Sequence, residues 1–255
     1  MTDSRLDTNM TLLWEHKTPD THYSVRQSGA SIRLYSNRVF HSQWNPDKPF
    51  AGGVWDCLSL PVLYRPVTET RRILLLGVGG GAVIRQLQSI CEFAELSAVE
   101  IDAQHLDIAT RWFGVTDDRV ELIHADAIEW LANYSGEPYD LIIDDLFGHS
   151  EGEPLRACPL TSNWVEQLRS NLTAKGLLIV NCVTAHELKQ ALPVFSDSGL
   201  RHGFRWTLPA YENAIGVLSQ ESLQARQWSR QLEDTGLDNA TQRQARATIR
   251  RPLRY

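Results

Sequence analysis

The run RRILLLGVGGGAVIRQL, Arg71–Leu87, constrains this chain more than any other segment. Its first half is apolar without alternation, the mark of a strand buried on both faces. It then empties into four glycines within five residues, Gly77, Gly79, Gly80 and Gly81. Apolar residues at three- and four-residue spacing follow, so a helix is expected after the turn. Glycine tolerates positive φ and lets a ligand approach the backbone closely, and helix-start N–H groups favour an anionic or electron-rich partner. With Ala82 in the last position the run also fits the dinucleotide pattern GxGxxG/A. A plain tight strand-to-helix connection would use the same glycines.

The same rhythm continues to about Gln220. Apolar runs RILLLGV, ELSAVEI, RVELIHA, YDLIIDDL and GLLIVNCV alternate with the amphipathic stretches AVIRQLQSI, AQHLDIATRWF, AIEWLANY and TSNWVEQLRSNL. Strand–helix alternation of this kind predicts an α/β domain, a mostly parallel sheet with helices on both faces. HGFRWTLP and NAIGVLSQ, with no long helix between them, predict an antiparallel pair at the sheet edge. Upstream, YSVRQSGASIRLYSNRVFHSQW predicts a small β-rich region with Ser-Gly and Ser-Asn turns, and VWDCLSLPVLYRPV a short helix ended or kinked near Pro61 and Pro66. The expected organisation is a β-rich region over 1–66, a nucleoside-binding catalytic domain over 67–220, and a polar, solvated helical tail over 221–255.

Acids at successive strand ends narrow the ligand. Glu100, closing AVEID about 20 residues past the glycines, stands where a carboxylate accepts ribose hydroxyls. Asp126, after the third strand, can accept from an adenine amino group; it is equally a strong N-cap for AIEWL, and the two roles are compatible. NAD sites have no standing need for this second acid, whereas S-adenosylmethionine sites commonly carry one. Asp144 and Asp145 end the fourth strand on opposite faces, so that one is free to act as a base. His149, in the Gly/Ser-rich loop that follows, is a weaker candidate base. Trp164 and Trp206 are expected in the core rather than in an acceptor pocket.

The net charge of −6 argues against nucleic acid as the main partner. The cysteines Cys57, Cys91, Cys158 and Cys182 form no CxxC pair, so neither a zinc site nor a disulfide framework is expected and a reducing cytoplasm is the expected location. No apolar run approaches the ~20 residues that span a bilayer, and MTDSRLDTNMTLLWEHKTPD lacks the order of a signal peptide.

Together, VFHSQW, LLLGVGGGA, VEID, RVELIHADAIEWL, YDLIIDDLFG and LTSNWVEQLRSNLTAKGLLIVN resemble the spermidine synthase family of the class I S-adenosylmethionine-dependent methyltransferase superfamily. The resemblance runs from about Tyr23 to Gln220. It implies a Rossmann-like fold with a mostly parallel seven-stranded sheet, no metal, and a homodimer formed through the N-terminal region. It implies that Gly77, Gly79, Gly80, Gly81 and Glu100 hold the nucleoside, that Asp126 and Ala127 hold adenine, and that Gln43 and Asp144 contact the cofactor. Asp145 takes the place of the base that deprotonates the acceptor amine. Three departures bear on the reaction. Ala82 replaces the acid that binds the amine of decarboxylated S-adenosylmethionine; DLFGH replaces the family's Asp-Ser-Ser-Asp-Pro; and the acidic, Tyr-containing element before the first core strand is missing from GGVWDCLSLPV. The expected function is therefore transfer from S-adenosylmethionine, foremost of a methyl group to a small acceptor. Aminopropyl transfer from the decarboxylated cofactor to a polyamine, a non-catalytic nucleoside-binding module and, last, a dinucleotide oxidoreductase are the alternatives.

Overall fold

The computed structural model describes residues 10–150 and 153–255, apart from the side chains of residues 149, 150, 153 and 154. The first elements are β1 (Thr11–Lys17), β2 (His22–Ser28), β3 (Ser31–Ser36) and β4 (Val39–Trp44), an antiparallel sheet paired in chain order. Asn37 and Arg38, at φ of 49° and 66°, close the last hairpin in the mirror-image turn that matches strand twist. Helix α1 (Val54–Ser59) then tightens into 3-10 turns over Leu60–Tyr64 and Val67–Glu69. Pro61, which has no N–H to continue the α-helical ladder, sits in the first turn of that tightened stretch.

The strand–helix alternation folds as expected. It comprises β5 (Arg72–Leu76), α2 (Ala82–Ile90), β6 (Glu95–Glu100), α3 (Ala103–Arg111), β7 (Val120–His124), α4 (Ala127–Ala132) and β8 (Tyr139–Asp144). A short hairpin follows, β9 (Phe147–Ser150) with β10 (Glu153–Arg156), where the Gly/Ser-rich sequence predicts a loop. The chain goes on through α5 (Ser162–Ser170), β11 (Leu172–Cys182), α6 (Ala185–Asp197) and the antiparallel pair β12 (His202–Thr207) and β13 (Ala214–Ser219). It ends with α7 (Ala225–Asp234), α8 (Asn239–Arg246) and β14 (Ile249–Pro252).

The main sheet has the order β14-β12-β13-β11-β8-β5-β6-β7. Its strand order reverses between β5 and β8, and open α/β sheets bind ligands at the carboxyl ends of the strands beside such a point. Side chains of β5 alternate between two cores: Ile73 and Leu75 pack with α2, the N-terminal sheet and the tail, while Leu74 and Leu76 pack with the α4–α6 side. Trp164 and Trp206 are buried, as expected.

The sheet has eight strands, where seven were expected, because the tail supplies one. Residues 221–255 are not simply solvated helix. Trp228 and Leu232, one turn apart on α7, are fully buried, and Trp228 Nε1–H donates to the Leu60 carbonyl at 2.9 Å. The Arg250 guanidinium lies 3.8 Å from the Trp228 ring centroid, and β14 pairs antiparallel with β12. Two apolar residues were enough to dock a polar helix. Trp228→Ala is expected to cost about 3–5 kcal/mol of stability, read by chemical denaturation; a loss below about 1 kcal/mol would show the tail to be dispensable.

Candidate nucleoside site at the switch point

Beyond the ends of β5 and β8 the backbone stays paired: Gly77 N–H donates to the Val99 carbonyl and Asp145 N–H to the Leu76 carbonyl, each at 2.9 Å. The glycine turn and the acid after β8 are thus brought into contact. Gly77, at φ +88°, packs so closely on this segment that a Cβ would stand 2.3 Å from the Asp145 carbonyl oxygen. The other glycines divide by role. Gly79 faces β4, where a Cβ would lie 3.2 Å from the His41 carbonyl, whereas Gly80 and Gly81 close against Phe113 and Val115 beyond α3. Each of the four glycines therefore answers to packing within the chain.

Glu100 braces the turn. Its Oε2 accepts from Val78 and Gly79 N–H, both at 2.9 Å, and its Oε1 accepts from Asp102 N–H at 3.1 Å. Burial alone would raise this carboxyl. His105, with Nδ1 3.7 Å away, and the two turn N–H groups outweigh burial and hold it at about 2. Oε1 keeps acceptor capacity beyond its single backbone bond. His105 continues the chain of contacts: its Nε2 lies 2.9 Å from Ser36 Oγ, and Tyr23 donates to Asp102 at 2.7 Å. The N-terminal sheet is latched onto α3 through these pairs.

Asp126 caps α4 as its sequence suggests, Oδ1 accepting from Ile128 N–H at 2.7 Å and Glu129 N–H at 3.2 Å. Ala127, next to it, is buried. The Ala125 N–H donates to the Glu100 carbonyl at 3.1 Å, which sets the two acids on neighbouring strand ends. Two apolar side chains beside these acids are unusually open, Ile101 at 67% and Ile128 at 39% exposure. Asp126 also lines a hollow of about 630 Å³ along one face of α4, with Glu129, Trp130 and Tyr134. A smaller one, about 280 Å³, lies at the opposite end of the sheet among Arg65, Asp140 and Lys175, away from the glycine turn.

Two expected cofactor contacts stand elsewhere. Gln43 accepts from its cross-strand partner Arg33, Nε to Oε1 at 2.8 Å. Strand alternation puts it on the face of β4 opposite Ser42, and it is Ser42 Oγ that accepts from Ala82 N–H at 3.3 Å. His41 and Ser42, not Gln43, meet the turn. Asp144 is fully buried; its Oδ2 accepts from Arg156 Nη2 at 2.7 Å and from Trp164 Nε1 at 2.9 Å. It is consumed by an internal ion pair. The sequence hid this because Arg156 arrives from the β9–β10 hairpin.

Asp145, on the opposite face, keeps partial contact with solvent. Its Oδ1 accepts from Asn181 Nδ2 at 2.7 Å. Burial pushes its carboxyl up to about 7, Asn181 opposing and the negative charge of Asp144 adding to the rise. The side chain of His149 lies outside the described residues. Ala82 is fully buried under β4. Among the described residues no group of three or more His, Cys, Asp or Glu could hold a metal ion, and no helix is long and apolar enough to cross a membrane.

An open α/β sheet with a braced glycine turn and acids at the ends of three neighbouring strands defines a Rossmann-like class of protein. The family model described as "Spermine/spermidine synthase domain" matches residues 59–213, and the chain belongs to that family. It is 33% identical over 101 residues to a polyamine aminopropyltransferase of Streptococcus uberis, covering 36% of this chain and 34% of the relative. It is 31% identical over 122 residues to the human eEF1A lysine and N-terminal methyltransferase, covering 44% of this chain and 17% of the relative. The matched stretches thus span about a third of the first relative and about a sixth of the second. Among solved structures, a probable spermidine synthase from Corynebacterium glutamicum superposes with a TM-score of 0.72 at 17% identity, over 91% of this chain and 93% of that one. Human methyltransferase-like protein 13, in complex with SAH, gives 0.57 at 22% identity, over 76% and 95%. Both likenesses establish the Rossmann-like α/β fold.

A second buried acid shares the behaviour of Asp145. Asp56, on α1, is pushed up to about 7 by burial, against the Gly52 N–H and the Gln86 amide that donate to it. Both values lie above the ~3.9 of an unfolded aspartate, so the folded state holds these protons more tightly. The stability they contribute is complete below about pH 4 and drains as pH rises through about 7. Denaturation at about pH 5.5 and about pH 8 is expected to show a smaller loss with pH in Asp145→Asn than in the parent protein. An equal loss in both would contradict the shift.

Proposed function

We propose that this chain is a transferase that uses S-adenosylmethionine, and that the group it moves is a methyl, delivered to a small nucleophilic acceptor. The residues at the switch point fit the adenosyl group. Glu100 Oε1 retains acceptor capacity for a ribose hydroxyl. Asp126 commits one oxygen to its helix and has a second for the adenine amine, with Ala127 alongside. Ile101 and Ile128, open to solvent beside those acids, offer apolar surface for a flat base. The glycine turn at Gly77 and Gly79 allows close approach. When bound, a sulfonium supplies an already activated alkyl group, so the protein's own part is alignment and removal of one proton. Asp145 is suited to that removal: burial raises its carboxyl to about 7, which makes it more basic than an ordinary aspartate and better able to accept a proton from an amine or hydroxyl.

The observation that carries methyl over aminopropyl transfer is the scarcity of negative charge. Position 82 is a buried alanine, so no acid stands at the start of α2 to repel the carboxylate of the intact cofactor or to bind the amine of the decarboxylated one. Asp144 is neutralised by Arg156, and Leu146, Phe147 and Gly148 add no charge, so among the described residues Asp145 is the one uncompensated carboxylate that the end of β8 presents. Aminopropyl transfer to a polyamine is the second reading, favoured by the family model and by the S. uberis relative.

Calorimetric titration separates them: S-adenosylmethionine is expected to bind more tightly than its decarboxylated form, and turnover of the decarboxylated cofactor with putrescine would overturn the methyl reading. Asp126→Asn preserves the helix cap but turns an acceptor into a donor, so it is expected to weaken cofactor binding about ten-fold without loss of stability. Asp145→Asn is expected to lower kcat by about 10²–10⁴-fold with cofactor affinity unchanged.

A further inference from the structure

Asn181 is the one polar residue in the run Leu177–Cys182 that ends β11, and it is 4% exposed. Sheet register explains where its side chain goes. Val180 pairs with Asp144 across the parallel β8–β11 ladder, so the next residues, Asn181 and Asp145, stand side by side on the opposite face. Both ends of the Asn181 amide are engaged. Its Nδ2 donates to Asp145 Oδ1 at 2.7 Å, and its Oδ1 accepts from Asn213 Nδ2 at 2.9 Å. Asn213 immediately precedes β13, the strand that flanks β11 on its other side. The Asn181 backbone is fixed as well, its carbonyl accepting from Arg156 Nη1 at 2.6 Å. A buried amide with both termini bonded has one orientation, and a carboxylate bonded to it loses its rotational freedom with it.

We propose that Asn181, held in turn by Asn213, is a positioning residue for Asp145 that fixes its carboxylate in one orientation and favours its charged form. This rests on the reading of Asp145 as the acceptor's base. The charged groups that face Asp145 are Asp144, Arg156 and Glu100. Asp144 and Arg156 largely cancel as a contact pair, and Glu100 opposes a charge on Asp145, so the Asn181 amide supplies the hydrogen bond that offsets burial. Asn213 keeps the amide turned with its N–H₂ towards the carboxylate, because the reversed amide would set its N–H₂ against that of Asn213.

The test is carboxyl-carbon NMR titration of Asp145 in the full chain, run alongside the pH profile of kcat. Asn181→Leu, of similar volume but without a donor, is expected to move the titration alkaline by about one pH unit or more. The rising limb of the profile moves with it, lowering turnover at about pH 6.5 about ten-fold while recovering above about pH 8.5 and leaving cofactor KM unchanged. Asn213→Ala is expected to move both in the same direction by less; it carries the test should Asn181→Leu fail to fold. Asn181→Gln, which keeps the amide, is expected to restore part of the shift. An unmoved titration and profile in both Asn181→Leu and Asn213→Ala would overturn the proposal. A moved titration together with full turnover by Asp145→Asn would uphold the positioning and overturn instead the reading of Asp145 as base.

Discussion

The carboxylate of Glu100 joins more of this structure than any other group. A buried carboxylate is costly unless its lone pairs are met, and here they are met by the Val78, Gly79 and Asp102 N–H groups, with His105 close by. In one place it braces the glycine turn after β5, ends β6, and orders the start of α3. Through His105 and Ser36 the same cluster reaches the N-terminal sheet. The turn keeps its shape because Glu100 holds it, and the ligand edge keeps its shape because the turn does. Glycine by itself would supply only the freedom to bend.

The end of β8 is organised by a different economy of charge. The Asp144–Arg156 pair lies wholly inside, and such pairs contribute little net stability because desolvation offsets their attraction. Its effect is on what the strand end presents. Two adjacent aspartates could have made the end of β8 strongly negative; the arginine cancels one of them and leaves Asp145 as the other. The arginine comes from the β9–β10 hairpin, so the hairpin takes part in the electrostatics at the end of β8.

The parallel sheet, the flanking helices, the antiparallel pair and the cap at Asp126 were legible in the sequence, because each depends on local periodicity or on a residue with one dominant preference. Glu100, Asp126 and the glycine turn were legible for the same reason, since strand ends are marked by where apolar runs stop. What escaped was decided by pairing between distant segments. The Arg33–Gln43 bond was set by the β3–β4 register, and a one-residue change of register turns a side chain to the other face. Asp144 was misread because its partner arrives from a hairpin with no strong pattern. The tail looked solvated because only Trp228 and Leu232 betray its buried side. A trace of the Asn181 contact did exist, as a lone amide in GLLIVNCV, but its partner required the β8–β11 register.

The strand contributed by the tail has a consequence for assembly. An open sheet that ends in an unpaired strand is a template for further strands, and without β14 that exposed edge would be β12. In β14, Arg251 and Pro252 are exposed, a cation and a residue with no N–H to offer, while Arg250 folds back over Trp228. While the chain is being synthesised, the β12 edge therefore waits open until residues 249–252 emerge and pair with it. A chain cut short near Thr248 would leave the ribosome with that hydrogen-bonding edge still bare.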